Sequence, residues 1–222
     1  MFFFSSTQGL DISKLAAQGF FTFIDGLALL ATSPNANVKT PTALDNAARA
    51  VETTITNLSS KDKRVTLILD APDTLLATAP TPATTTAQTL HNTLLALRSK
   101  VHSTILTLSA DLPFLSASVP SLSTEQPTPL ETETAAFLVQ QAHCARVVLS
   151  LRELETGAAR DVSGVVRVTG GGDGEGDSPA AAGEGVDGDR DDEGREGVRE
   201  MEALFLVGRD GGVRVFERGS TG

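Results

Sequence analysis

The sequence predicts an α/β domain, with a mostly parallel sheet flanked by helices and closed by a C-terminal antiparallel hairpin. Three observations carry that expectation. Segments with helical spacing of apolar residues alternate with short β-branched and leucine-rich runs along the chain. The run Arg64 to Leu69 (RVTLIL) is apolar on both faces, as strands inside a helix-covered parallel sheet are. Near the end, Gly208-Arg209-Asp210-Gly211-Gly212 separates two strand-like segments, the pattern of a hairpin.

The elements follow in order. Asp11 to Gln18 reads as a short helix closed by Gly19, since glycine is favoured just past a helix end. Phe20 to Ile24 is a β-rich run ending at Asp25-Gly26. Thr40-Pro41 has the form of an N-cap with proline at the first helical position. Leu44, Ala48, Val51, Ile55 and Leu58 then continue at helical spacing to about Ser59. After the strand ending at Asp70, a helix starts near Thr86 and carries Leu90, Leu94, Leu97 and Val101. Ser103 to Leu108 is the next strand, followed by a Pro/Ser/Thr connection over 110–130. Connections of that length without structure are usually functional or disordered. Leu130 to Ala145 reads as a helix, Arg146 to Leu154 and Asp161 to Thr169 as strands. Glu200 to Val207 and Val213 to Glu217 form the closing hairpin.

Charge divides the chain further. Of its 28 acids and 18 bases, residues 170–197 hold ten acids and two arginines, with ten of the twenty glycines. That stretch contributes −8 and leaves the remainder at −2. The expected organisation is a core over 1–169, a disordered acidic insert over 170–197, and residues 198–222 completing the same domain. A nearly neutral body does not find nucleic acid by bulk charge. Without Trp or Tyr, base stacking would rest on ten Phe, most of them inside apolar runs, so a self-sufficient aromatic-platform reader of RNA is not expected. The single cysteine, Cys144, cannot form an internal disulfide and fits a reducing compartment. MFFFSSTQGL lacks the features of a secretory signal, and Phe20 to Ala31 is too short to span a bilayer. The expectation is a soluble intracellular protein.

Few residues point to chemistry. Asp25 and Asp70 each end an apolar run, and ligands of open α/β sheets bind at the carboxyl ends of strands. An aspartate in that position holds Mg²⁺ in phosphate-loop NTPases. The simpler reading is structural: Asp25 shapes a turn, and Asp70 or Asp73 caps the segment beginning at Pro72. None of the five lysines follows a glycine, so no G-x-x-x-x-G-K-[ST] loop exists. The literal G-x-G-x-x-G at Gly183 to Gly188 is neither preceded by a strand nor followed by a helix, and its acids would repel a pyrophosphate. His143-Cys144 reads as helix packing, because Cys144 has no second cysteine at metal-ligand spacing. No metal, cofactor or catalytic residue is expected. Arg160, Asp161 and Ser163, in a glycine-flanked loop between two strands, are the candidates for contact with phosphate or a partner.

A collinear series of segments resembles one family. The segments are FIDGLALL (Phe23 to Leu30), VTLILDAPDTLLAT (Val65 to Thr78), HSTILTLSADLP (His102 to Pro113), TPLETETAAFLVQQAHCA (Thr128 to Ala145), LETGAARDVSGVVRVT (Leu154 to Thr169) and GGVRVFERG (Gly211 to Gly219). Together they are similar to the Elongator complex protein 6 family in its fungal form. The resemblance implies a RecA-like fold without the ATPase signature. It also implies a hetero-hexameric ring with Elongator proteins 4 and 5, attached to the Elongator catalytic core. Such a ring binds tRNA during modification of the wobble uridine, in the cytoplasm and also the nucleus, and this chain would be non-catalytic within it. Any ATP turnover would belong to the assembled ring. Family members carry a further strand–helix unit ahead of the segment resembling Phe20 to Leu30, so the expectation is a chain truncated at its N-terminus. The alternative is an enzyme, a divergent nucleotide hydrolase holding a metal on Asp70.

Overall fold

The computed structural model describes residues 11–26, 28, 43–59, 64–78, 85–111, 126–154, 161–172 and 198–217. It is mixed α/β, and its contacts divide the chain into two units: residues 12–141, and residues 142–222 with 1–11.

The first unit holds α1 (Ile12–Ala17), α2 (Ala43–Ser59), β1 (Thr66–Asp70), α3 (Thr74–Thr78), α4 (Ala87–Arg98), β2 (Ser103–Thr107) and most of α5 (Pro129–His143). Local chemistry sets the helix ends. Gly19 adopts a left-handed φ of 69°. Its N–H donates to the Ala16 carbonyl at 3.0 Å, and the Phe20 N–H donates to that of Leu15 at 2.9 Å. These are the paired bonds of a Schellman close. In α2 the Thr53, Thr54 and Thr56 hydroxyls donate back to carbonyls four residues earlier, which accommodates β-branched threonines in a helix. The proposed cap at Thr40-Pro41 lies outside the described residues. Thr86 caps α4 reciprocally: its Oγ1 accepts the Thr89 N–H at 3.2 Å, and Thr89 Oγ1 accepts the Thr86 N–H at 2.8 Å.

These elements bury one apolar cluster. Leu44 and Ile55 of α2, Leu76 of α3, Ala87, Leu90, Leu94 and Leu97 of α4, and Phe137 of α5 form its centre. Leu67 and Leu69 of β1 and Leu106 of β2 pack against it. Each large aliphatic side chain removed from water in this way contributes roughly 1.5–3 kcal/mol. The strands β1 and β2 are parallel and in register from Thr66 opposite Ser103 to Asp70 opposite Thr107. Among the described residues, one face of this pair is covered. Ile68 and Ile105 stand opposite each other at 64% and 53% exposure, and the Thr66 and Ser103 hydroxyls bond at 2.8 Å.

The second unit carries β3 (Val147–Arg152), β4 (Gly164–Gly170), β5 (Met201–Val207) and β6 (Val213–Glu217), in the order β3-β4-β5-β6. All its neighbours are antiparallel, with Leu149 opposite Val168, Val166 opposite Ala203 and Phe205 opposite Val215. The expectation of a mostly parallel sheet is therefore corrected. Parallel pairing among the described residues is confined to β1 and β2, and the strands at Arg146 to Leu154 and Asp161 to Thr169 pair antiparallel. The physical reason is connection length. Parallel neighbours need a crossover, usually helical, of a dozen residues or more. The segment between Arg152 and Gly164 is too short to supply one. The hairpin at 208–212 is as expected: the Gly208 N–H donates to the Gly212 carbonyl at 2.8 Å, and Asp210 Oδ1 accepts the Gly212 N–H at 3.0 Å.

The antiparallel register sorts side chains onto two faces. One face is largely apolar across all four strands, with Val147, Leu149, Leu151, Val166, Val168, Met201, Ala203, Phe205, Val207, Val213 and Val215. The other mixes apolar residues with Arg152, Arg167, Glu202 and Arg214, and Arg152 pairs with Glu202 at 3.2 Å. Gly164 sits where two strands crowd: a β-carbon there would stand 2.6 Å from the Arg152 carbonyl oxygen and 2.9 Å from Phe205 Cε1. The start of the glycine-rich stretch belongs to this sheet. Gly170 pairs with Val147, and the Gly171 N–H donates to the Arg146 carbonyl at 3.2 Å. Residues 173–197, the rest of the expected insert, lie outside the described residues.

The run Phe20 to Ile24 forms no ladder among the described residues. Phe20 and Phe23 are more than half exposed. Aromatic and β-branched composition favours a strand only where a neighbour supplies the other half of the bonds. No described helix is long and apolar enough to cross a membrane.

Candidate functional site

The carboxyl ends of β1 and β2 bring several polar side chains of the first unit together. Asp70 ends β1 and lies opposite Thr107, which ends β2. The Thr107 hydroxyl donates to Asp70 Oδ1 at 2.5 Å. The same Oγ1 accepts the Ala71 N–H at 3.1 Å, and that N–H also reaches the Thr107 carbonyl at 3.1 Å. Ala71 has a φ of 48°, a left-handed conformation that costs a residue with a β-carbon roughly 1–2 kcal/mol. Its carbonyl accepts from the Thr74 N–H at 3.2 Å and from the Thr74 hydroxyl at 2.8 Å. The turn into α3 is thus held from both sides. Asp73 reaches across it, with Oδ2 accepting the Ser109 N–H at 3.3 Å, while buried Oδ1 has no hydrogen-bond partner among the described residues.

In Thr107 the hydroxyl oxygen accepts one backbone N–H and donates its proton to Asp70, a pair of bonds that orders the turn. Asp70 itself is exposed and open to a ligand from solvent. Among the described residues no three His, Cys, Asp or Glu side chains gather as a metal site would require.

The other expected residues fall elsewhere. Asp25 follows irregular residues rather than a strand, which corrects its placement at a strand end. Its Oδ1 accepts the Ala28 N–H at 3.2 Å, the capping geometry of a turn. Arg160 lies outside the described residues. Asp161 is exposed beside β4. Ser163 extends the β4–β5 ladder, its N–H donating to the Phe205 carbonyl at 2.8 Å and its Oγ accepting the Val207 N–H at 2.9 Å. Of the 110–130 connection, only residues 110, 111 and 126–130 are described. His143 is exposed and Cys144 half-buried.

Sequence reasoning missed a polar seam between α4 and α5. Gln141, 3% exposed, donates through Nε2 to His91 Nδ1 at 2.8 Å, and its Oε1 has no partner among the described residues. Gln140 Nε2 reaches Gln88 Oε1 at 3.4 Å. Glu133 Oε2 accepts the Ala87 N–H at 2.5 Å, placing a carboxylate at the α4 N-terminus, where the helix dipole favours it. Helical spacing alone could have placed Glu133 and Gln140 on one face of α5, but not their partners on α4.

Neither a scan against protein-family models nor a search of curated proteins finds a match to this chain.

Proposed function

We propose that the chain is a non-catalytic subunit of the Elongator accessory ring, RecA-like in its descent. In this reading it assembles with Elongator proteins 4 and 5 and joins the catalytic core. The assembled ring binds tRNA in support of wobble-uridine modification. The observation that carries the reading is the collinear series of segments from FIDGLALL (Phe23 to Leu30) to GGVRVFERG (Gly211 to Gly219). Two features support it. The chain lacks a phosphate-binding loop, which suits a subunit that hydrolyses nothing by itself. The apolar face of the four-stranded sheet also leaves Leu149, Leu151, Val213 and Val215 at 58–71% exposure. Apolar patches of that kind commonly mark surfaces that another protein covers.

The reading is tested by purifying the tagged full chain from its native cell and identifying what accompanies it. Recovery of Elongator proteins 4 and 5 is the expected result; a well-expressed chain accompanied by no Elongator subunit would overturn it. The alternative enzyme draws on one observation, the exposed Asp70 carboxylate at the end of β1. ATP turnover by the isolated chain that Asp70→Ala abolishes would establish that alternative instead.

A further inference from the structure

We draw no further inference here: the strongest candidate, the apolar face of the four-stranded antiparallel sheet that carries Leu149, Leu151, Val213 and Val215, carries no proposal of its own because nothing in the structure shows what covers it.

Discussion

The Thr107 hydroxyl donates to Asp70 Oδ1 while accepting the Ala71 N–H, so one side chain closes the carboxyl end of the parallel pair. Thr107→Val keeps the β-branched shape and removes both bonds. Because the pair is exposed, the expected loss is roughly 0.5–1.5 kcal/mol, read as a lower urea midpoint with unchanged slope. Thr107→Ser should restore most of it. Equal destabilisation by valine and serine would show that the methyl group, and not the hydroxyl, matters here.

Phe137 is fully buried, whereas Val139, two residues further along α5, is 40% exposed. Phe137→Ala should therefore cost about 3–5 kcal/mol. Val139→Ala should be close to neutral, since alanine gains helix propensity as it loses partial burial. Denaturant unfolding of the two variants provides the comparison.

Glu131 has its carboxyl held below the ordinary value of 4.5 by the Thr128 N–H and then by the Thr128 hydroxyl. The bonds are 2.7 and 2.8 Å, and Thr128 Oγ1 accepts the Glu131 N–H in return at 3.3 Å. A carboxyl with a depressed folded pKa contributes stability above its unfolded pKa, and that contribution disappears as pH falls through the folded value. The first turn of α5 should accordingly loosen in acid and be indifferent to pH near neutrality. An NMR titration of the Glu131 carboxyl should find its midpoint below that of an unstructured glutamate. Thr128→Ala should raise it.

β4 and β5 are antiparallel neighbours, with Val168 opposite Met201, so the glycine-rich stretch leaves and re-enters one sheet on adjacent strands. Replacing residues 173–197 with a short Asn-Gly turn should preserve folding. Extending the replacement back to Gly170 should destabilise the protein, because it removes the Gly170–Val147 pairing and the Gly171 bond to Arg146. Thermal unfolding of both deletions separates the outcomes; equal stability would mean that those pairings contribute nothing.

What could be read in advance depended on how local the determining physics is. Leu90, Leu94 and Leu97 announce a helix face because helical spacing is a property of the chain itself, and they are buried as expected. Gly19 announces a helix end for the same reason. Strand direction is decided by which segments meet. Val147 to Arg152 has the composition of a strand in either orientation, and only the short connection to Gly164 argues for antiparallel pairing. At the candidate site, Asp70 was visible as a carboxylate ending an apolar run. Thr107 was not, because it lies 37 residues away and becomes a partner only through the parallel register.

The crowding at Gly164 bears on folding fidelity as well as packing. A strand slipped by one residue exchanges its faces, turning Val166 and Val168 of β4 to the side that carries Val165 and Arg167. In β4 such a slip would also bring Ser163 or Val165 to the place where even an alanine β-carbon would stand 2.6 Å from the Arg152 carbonyl. The missing side chain therefore discriminates among pairings: it admits one alignment of β3, β4 and β5 and penalises its nearest competitors. For a strand built almost wholly of valine, glycine and threonine, whose side chains would tolerate several alignments, that selectivity keeps the apolar face on a single side.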